Sequence, residues 1–480
     1  MTSTPALRDF LEIPYDQLEE MNLAAKEQRL KRVDPERVRE ERIAYLEEEK
    51  RIKAVTVCFT DLEGRLHMLD YDKKFLLRSY DNLTFDGSSI RGFSAQSESD
   101  LRLVIDWTAF YWLPSDVFGP GKVLVFGEVH ERGGAVYAGD LRGRLKVFLA
   151  ERFALDGTVA YAANEIEGFL FQGVNAERRY HETRSFEYVS KGGYYHSLPG
   201  DPLRAFIDHA AEAQRAMGFV NEKDHPEVAP SQFEMNFSYT EALIAADQFQ
   251  LYKLLCRQIA QQMGMTASFL PKPVVGVNGS GAHTNLSLAR KGKNVFYDKK
   301  GEEGLSKLGW DVVDRILNSA PDLALVLNPS VNAYRRLDPH FEAPNQIKVS
   351  PIDRGSMIRI PLGNEKSARI EVRSVGPDAN IYMTLYALLR TGLEGPESPP
   401  NDEAKRARTR FLPSNIHDAI RIFKASKWTT ELLGADVADK YAELKQASAD
   451  RCPKALGTRV KASEVMFHHE VTNQVLWNEF

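Results

Sequence analysis

Hydrophobic and polar residues alternate strictly in several short stretches of the chain, and one such stretch gives a strand a fully charged face. In "SARIEVRSV", residues 367–375, the charged residues Arg369, Glu371 and Arg373 alternate with aliphatic ones. Successive side chains of a β-strand point to opposite faces, so the charged residues share one face and the aliphatic residues pack behind them. On its own, this pattern is typical of a solvated edge strand.

The first part of the chain predicts two helices followed by a small β domain. From about Asp16 to Lys53 the sequence is dense in Glu, Lys, Arg, Leu and Ala and is broken only by Pro35, which predicts two solvated helices. The run "AVTVCFTDLEGRLHMLDY" then predicts a β-hairpin around a turn at "DLEG". Short β-type runs with Gly and Pro continue to about Tyr137, so a small mixed β domain is expected.

Longer elements follow, and one strand carries two acids. A helix is predicted to end at Gly157, and apolar residues recur at helical spacing over 203–218, over 241–263 and through most of the last hundred residues. Between the first two helices, "TVAYAANEIEGFLF" alternates as a strand. Its parity puts Glu165 and Glu167 in the middle of an otherwise apolar face, which is costly unless a cation meets them.

Composition and charge narrow the function classes. The 480 residues, with 43% hydrophobic and 27% charged residues, are enough for two or three globular domains. A formal net charge of -5 gives no overall attraction for nucleic acid or an anionic membrane. The three cysteines are far apart, the first residues lack a basic segment followed by an apolar core, and no apolar run reaches about 18 residues. We therefore expect a cytoplasmic protein without nucleic-acid or membrane partners.

Two further stretches repeat the polar face. Glu227 and Glu234 bracket a Pro-Ser turn in "HPEVAPSQFEMNF", and His283, Asn285 and Ser287 share one face of "NGSGAHTNLSL". Polar or acidic groups thus lie on one side of four separate strands. Five glutamates and a histidine would form an oxygen-rich site for two hard divalent cations, and zinc is less favoured because cysteine is absent. These six candidate ligands are Glu165, Glu167, Glu227, Glu234, His283 and Glu371.

A group of arginines accompanies the acids. Arginine side chains beside metal-bound carboxylates suit bidentate binding of phosphate and carboxylate groups, which phosphoryl transfer requires. The sequence contains neither GxxxxGK[ST] nor GxGxxG, so a P-loop or Rossmann nucleotide site is not supported. The stretch "HHEVTN" at His468 lacks the second histidine of HExxH and is interpreted as a helix surface. The five arginines are Arg336, Arg354, Arg359, Arg369 and Arg373.

Eight motifs in order resemble the type I glutamine synthetases over roughly residues 53–476. They are "FDGSSIRGF", "NEIEGFLF", "KGGYY", "HPEVAPSQFE", "LPKPVVGVNGSGAH", "NPSVNAYRRLDPHFEAP", "DRGSMIRIP" and "RIEVR". The resemblance implies an α+β fold, with a small β-grasp-like domain and a large catalytic domain in which helices flank a curved antiparallel half-barrel sheet. The predicted boundaries are 1–52 for a helical extension, 53–142 for the β-grasp-like domain and 143–480 for the catalytic domain.

The same resemblance implies roles for matching residues. One Mg²⁺ or Mn²⁺ ion would be held by Glu167, Glu227 and Glu234, and another by Glu165, His283 and Glu371, with two or three ions per site. ATP would meet Arg354, Arg359, Glu222, Ser287 and Lys366. Glutamate would be bound by Asn278, Gly279, Arg336, Arg373 and Tyr194. The catalytic group would comprise Arg354, the flap carboxylate Glu342, and Asp86, which binds ammonium from the neighbouring subunit.

The implied reaction is ATP-dependent ligation of ammonia to the γ-carboxylate of glutamate, in a homo-oligomer expected to be a dodecamer of two hexameric rings. Two alternatives stay open: a γ-glutamyl ligase for another amine, such as methylamine, ethanolamine or a polyamine, and a catalytically silent relative. His225-Pro226 and Asn285 depart from common family residues, which makes nucleotide fit less certain than metal binding.

Overall fold

The computed structural model describes residues 11–183, 185–397 and 410–450. The end of the predicted catalytic domain, 451–480, and the His468 motif within it lie outside the described residues. The helices are α1 Tyr15–Leu30, α2 Pro35–Glu48, α3 Lys73–Ser79, α4 Ser115–Phe118, α5 Leu141–Asp156, α6 Ala176–Thr183, α7 Pro202–Ala216, α8 Ala242–Gln262, α9 Lys307–Asn318, α10 Ala320–Leu327, α11 Val331–Arg336, α12 Ile381–Glu394, α13 Ile416–Ala425, α14 Lys427–Leu433 and α15 Ala435–Asp450.

The strands form two sheets of different size. They are β1 Ala54–Thr60, β2 Leu66–Asp72, β3 Thr84–Asp86, β4 Asp100–Trp112, β5 Lys122–His130, β6 Thr158–Gln172, β7 Asn221–Pro226, β8 Gln232–Phe237, β9 Thr240–Glu241, β10 Met265–Ser268, β11 Ala282–Arg290, β12 Lys293–Asn294, β13 Gln346–Ser350, β14 Ser356–Arg359 and β15 Ile370–Val372. The α+β class predicted from the sequence is confirmed.

The first sheet builds the small domain, in the order β2-β1-β5-β4-β3. β1 and β2 are antiparallel, and the turn between them is the predicted hairpin at "DLEG". At this turn Gly64 has φ +86°, and a Cβ there would lie 2.6 Å from Cα of Asn380 at the start of α12. The hairpin therefore packs directly on the large domain at a point where a side chain has no room.

The second sheet is the scaffold of the large domain. Its main order is β13-β14-β15-β11-β6-β8-β7, and β9 and β10 also pair with β6. Along β6, Ala160, Ala162 and Ile166 are buried in the main hydrophobic core, while Glu165 and Glu167 on the other face are only half-buried. The face that carries the acids thus lines a cleft over residues 159–167, and the expected apolar surroundings appear only at its far end, around Phe169 and Phe171.

The N-terminal helices form as predicted, but the interpretation that they are solvated is wrong, because α1 and α2 each bury one face. Leu18, Asn22 and Ala25 are buried, and α1 contacts β4 and α7. The polar members of this stripe hide its helical period, which explains why the sequence pattern looked uniformly hydrophilic. Pro35 occupies the first turn of α2, where it needs no hydrogen-bond partner, and Asp34 caps that turn.

The helices predicted within and after residues 141–157 are observed. α5 ends at Gly157, whose φ of +73° closes the helix in the left-handed region, and α7 and α8 cover the two stretches with helical spacing. Helices α12 to α15 account for most of the described C-terminal part. None of the helices in the described ranges is both long and apolar enough to cross a membrane.

A buried charge network joins the two domains. Arg142 on α5, fully buried, donates to Asp247 on α8 at 2.8 and 2.9 Å and to Asp106 on β4 at 3.0 Å. Arg29 on α1 donates to the same Asp247 at 2.9 Å, and the Tyr382 hydroxyl on α12 donates to it at 2.8 Å. Five elements are therefore held through one set of paired charges.

Candidate active site

The strand register aligns the acids of the large sheet into one row. His283 on β11 lies opposite Glu165 on β6, Glu167 lies opposite Glu234 on β8, and Glu234 lies opposite His225 on β7. Directly opposed residues of antiparallel strands point to the same face. The alternation found in separate sequence stretches thus becomes one continuous polar surface.

One cluster contains Glu165, His283 and Glu371. His283 Nδ1 lies 3.5 Å from Glu165 Oε2 and 3.8 Å from Glu371 Oε1. One ligand atom from each of the three residues lies within 4.8 Å of the others. The structure therefore brings together the three residues that the sequence assigned to one ion, although their role as ligands stays a prediction.

The second cluster differs in composition from the predicted one. Glu227 and Glu234 meet His225, whose Nδ1 and Nε2 each lie 3.6 Å from one of the two carboxylates. Glu167 lies beside this cluster and accepts a 2.8 Å hydrogen bond from the amide of Gly281. In the sequence, His225 is recognised only as a departure from a family motif. Its spacing of two residues from Glu227 would have predicted that both side chains lie on the same face.

The carboxylates of the second cluster face one another without enough cations. Burial, and then the charges of neighbouring glutamates, raise the pKa of Glu167 to about 8 and that of Glu227 to about 7. The same causes raise the pKa of Glu234 well above its ordinary value. Burial also disfavours ionised Glu165, but the combined effects of His283, Asn285 and Arg373 outweigh burial and lower its pKa to about 2. The second cluster is therefore the part of the site that would gain most from a bound cation.

The residues present fit divalent metal ions. His283 Nδ1 and His225 Nε2 are buried and have no hydrogen-bond partner among the described residues, yet carboxylate oxygens lie less than 4 Å from each. Burial lowers the pKa of both histidines, so both favour the neutral form that binds metals. A donor set of glutamate oxygens with one imidazole in each cluster suits Mg²⁺ or Mn²⁺ better than zinc.

The arginines surround the first cluster and restrain it. Arg359 donates to Glu371 at 2.7 Å, and Arg373 pairs with the other oxygen of Glu371. Arg336 is almost fully buried and donates to the backbone carbonyls of Val375 and Arg373. These contacts fix the guanidinium groups before any substrate binds, which lowers the entropy cost of binding an anion.

A polar cavity of about 340 Å³ collects most of the predicted substrate residues. Asn278 donates to Glu342 at 3.1 Å, and Glu342 has φ +59°, so the loop carrying it turns sharply toward the cavity. Tyr194 and Arg354 line the same cavity, and the Tyr194 hydroxyl donates to the hydroxyl of Tyr195 at 2.8 Å. The predicted residues lining this cavity are Glu165, Glu167, Tyr194, Glu227, Glu234, Asn278, Gly279, His283, Arg336, Glu342, Arg354, Arg359 and Arg373.

A second cavity of about 300 Å³ adjoins the first and contains the remaining predicted nucleotide residues, Glu222, Ser287 and Lys366. The two cavities share Glu165, Lys223 and Arg369 in their linings. Asn285 connects two of these residues, since it donates to Glu165 at 3.2 Å and accepts from Arg369 at 3.0 Å. An extended ligand could therefore reach from the second cavity to the acid clusters without leaving the protein.

Asp86 is the predicted site residue that lies apart from both the cavities and the acid clusters. It ends β3 in the small domain and does not line either cavity. Its carboxylate accepts from the hydroxyls of Ser88 and Ser89, and these hydrogen bonds lower its pKa. Since it was expected to serve a neighbouring subunit, its role stays a prediction.

Comparison with known proteins matches both domains. The family model described as glutamine synthetase, beta-Grasp domain, matches residues 51–132, and the one described as glutamine synthetase, catalytic domain, matches residues 138–463. The glutamine synthetase of Thermotoga maritima is 35% identical over 418 residues, covering 84% of this chain and 94% of the relative. That of Methanosarcina mazei is 36% identical over 420 residues, covering 84% and 92%.

Solved structures agree. A complex of GmaS with ADP has a TM-score of 0.75 and 25% identity and covers 88% of this chain and 99% of that one. The Plasmodium falciparum glutamine synthetase has a TM-score of 0.77 at 21% identity and covers 88% of this chain and 98% of that one, which supports the fold alone.

A β-grasp domain joined to a half-barrel sheet with an acid-lined cleft, together with these matches, defines a ligase. The chain belongs to the glutamine synthetase family, whose members generally use ATP and divalent metal ions.

Proposed function

We propose that the protein ligates ammonia to the γ-carboxylate of L-glutamate, converting ATP to ADP and phosphate through γ-glutamyl phosphate. The observation that carries this proposal is the junction of the two cavities. There, two acid–histidine clusters and five arginines line a space that continues into the second cavity. This arrangement suits an anionic amino acid at one end and a nucleotide phosphate chain at the other.

Glutamate would bind in the larger cavity. Arg336 and Arg373 supply positive charge at its floor, and Asn278 supplies a side-chain amide at its rim. Gly279 also lines this cavity, and it has no room for a side chain because a Cβ there would lie 2.3 Å from the carbonyl oxygen of Pro271. The substrate backbone would then be held by fixed groups while its side-chain carboxylate extends toward the acid clusters.

Phosphoryl transfer would occur where the cavities meet. Arg354 and Arg359 are placed to hold phosphate oxygens, and Glu222, Ser287 and Lys366 would contact the rest of the nucleotide. Mg²⁺ or Mn²⁺ ions held by the two clusters would supply charge neutralisation for the transferred phosphoryl group. Tyr194, which lines the same cavity as Arg354, would help to bind the substrate there.

Ammonia would be captured and deprotonated by two acids. Asp86 of a neighbouring subunit would bind ammonium in a homo-oligomer, which we propose is a dodecamer of two hexameric rings. Glu342 lies exposed on a turn at the cavity rim, where it would accept a proton and, as the flap closes, exclude water from the acyl phosphate.

A larger amine is the second candidate nucleophile. Val228, whose side chain is partly exposed, and Phe341 line the same cavity as Glu342. Such an apolar wall could contact the carbon atoms of an alkylamine. The acids, arginines and cavities described above would be used equally by both reactions, so only the nucleophile distinguishes them.

A steady-state assay of the full-length protein with glutamate, MgATP and one amine at a time separates these functions. Ammonium is expected to give a higher kcat/KM than methylamine, ethanolamine or putrescine, with glutamine identified by mass spectrometry. Asp86→Ala should weaken ammonium use far more than glutamate binding, while the exposed Asp81→Ala serves as a matched control on the same domain. A higher kcat/KM for any tested amine would assign the protein to the second function, and no turnover with any of them would indicate a silent relative.

A further inference from the structure

The helical extension lies outside both matched family models, yet it is built into the rest of the protein. The models begin at residue 51, whereas α1 ends at Leu30 and α2 at Glu48. Leu18, Ala25 and Leu46 are buried in the same hydrophobic cluster as residues of the small domain. Helices α1 and α2 therefore contribute side chains to the same hydrophobic core as the small domain.

One side chain of α1 connects the two domains directly. The Asn22 amide donates to the carbonyl oxygen of Trp112 on β4 at 2.9 Å and to that of Ala216 on α7 at 2.8 Å. Its carbonyl oxygen accepts from the amide of Trp112 at 3.0 Å. Gly218 approaches Asn22 so closely that a Cβ would lie 3.0 Å from the Asn22 side chain. These contacts fix the middle of α1 against both domains.

The end of α1 presents Arg32 to the large domain. Arg32 has φ +51°, so the chain turns sharply there, and its guanidinium group lies 4.3 Å from the ring centre of Phe153 on α5. The same group pairs with Glu241 at 2.9 Å and donates to the carbonyl oxygen of Leu30 at 3.2 Å. Three separate contacts therefore orient this side chain, although 40% of it is exposed.

Glu241 is continuous with the wall of the second cavity. It lies on β9 opposite Tyr161 of β6 and begins α8 as its capping residue. Two residues earlier, Tyr239 projects over the same cavity with 57% of its surface exposed. The rings of Tyr239 and Tyr161 meet edge to face, with centres 5.7 Å apart. Movement of the Glu241 segment would therefore move an aromatic wall of the cavity.

We propose that Arg32 is a positioning residue for the nucleotide: by holding Glu241, it sets the Tyr161–Tyr239 wall against which the nucleotide packs. This inference rests on the proposed assignment of the second cavity to the nucleotide. Arg32 does not line that cavity, so it acts through Glu241 and not by contact with ligand. The extension thereby adds a support to the nucleotide site from residues outside the family models.

The test measures binding of Mg-ADP to the full-length protein by calorimetry, together with KM for ATP and for glutamate. Arg32→Ala should weaken Mg-ADP binding about three- to fivefold, the effect of losing one partly exposed ion pair. KM for ATP should rise by the same factor, while kcat and KM for glutamate stay within twofold. Arg32→Lys retains the charge but not the planar contact with Phe153. Its affinity for Mg-ADP should therefore lie between that of the parent and that of Arg32→Ala.

Arg37→Ala is the matched control, because Arg37 pairs with Glu41 within α2 and touches neither Glu241 nor the cavity. It should bind Mg-ADP like the parent. Unchanged Mg-ADP affinity in Arg32→Ala, or an equal loss of nucleotide and glutamate affinity, would overturn the inference. If the parent itself fails to bind Mg-ADP, the nucleotide assignment of the cavity is wrong and the inference falls with it.

Discussion

Two regions of this protein bury carboxylates, and they do so in opposite ways. At the domain junction, Asp106 and Asp247 are fully buried, but each accepts hydrogen bonds from Arg142. In the cleft, Glu227 and Glu234 meet each other and Glu167 with a neutral histidine between them. Burial alone would raise the pKa of every one of these groups.

The charged groups next to each carboxylate decide whether its pKa rises or falls. At the junction the positive charges outweigh burial and lower the pKa of Asp106 and Asp247. In the cleft, burial acts first and the neighbouring glutamates add to it, so the pKa of Glu234 rises well above its ordinary value. The paired acids have their cations within the protein, whereas we propose that the unpaired acids bind an external metal ion. This contrast distinguishes structural from functional charge burial in the same chain.

Removing the charge of Arg142 from the buried network should have the largest effect on stability. Arg142→Met leaves Asp106 and Asp247 short of a partner in the interior, which typically costs about 3–5 kcal/mol. Chemical unfolding followed by circular dichroism measures the free energy of unfolding. A loss below about 1 kcal/mol in the free energy of unfolding would show that the network contributes little to stability. It would contradict a structural role for the paired acids.

Removing a charge from the unpaired region should have the opposite effect on stability and a large effect on activity. Glu234→Gln removes one ligand, so ATP-dependent ligation should fall at least about 100-fold, or about 3 kcal/mol in transition-state stabilisation. The metal-free variant should be at least as stable as the metal-free parent, because one member of a like-charged group is neutralised. Turnover within a factor of a few of the parent at saturating Mg²⁺ would contradict the assignment of the cluster.

The paired region also has a defined pH response. The folded pKa of Asp106 lies below its ordinary value of 3.8, so the carboxylate stabilises the fold above that value and its contribution is lost as the pH falls further. The stability difference between the parent and Asp106→Asn should be constant from about pH 8 to pH 5 and shrink below about pH 4, by at most about 1.4 kcal/mol per pH unit. A difference that changes mainly between pH 5 and pH 8 would show that Asp106 is not held by its cations.

A partner at the rim of the network should matter least. Lys146 lies 3.2 Å from Asp106, but its side chain is 40% exposed and Arg142 remains in place. Lys146→Met should therefore cost only about 0.5–1 kcal/mol in the free energy of unfolding. If Lys146→Met lowers the free energy of unfolding as much as Arg142→Met does, the contribution of these charges to stability does not depend on their burial.

The sequence predicted the acids of the site better than their partners. Alternation alone identified Glu165, Glu371 and His283, because a strand's parity is visible in a single segment. His225 was missed as a member of the second cluster, since its proximity to Glu234 depends on the pairing of β7 with β8. The pairing of Arg359 with Glu371 is likewise set by register and could not be predicted from either segment alone.

The fold shows the same limit. The lengths and types of most helices follow from local periodicity, but the buried face of α1 includes Asn22 and Arg29, whose polarity conceals it. Only the tertiary structure supplies the carbonyl groups and the carboxylate that satisfy these two side chains. Polar residues that join domains therefore resemble surface residues until their partners are known.

We propose that the unpaired acids of the cleft form a divalent-cation site. Electron paramagnetic resonance of Mn²⁺ added to the metal-free, full-length protein tests it most directly, because bound and free Mn²⁺ give distinct signals. We expect at least two bound ions per chain in the parent and at least one fewer in Glu234→Gln, with Arg37→Ala matching the parent. Equal Mn²⁺ binding by the parent and Glu234→Gln, or no specific binding by the parent, would show that these acids do not form a divalent-cation site.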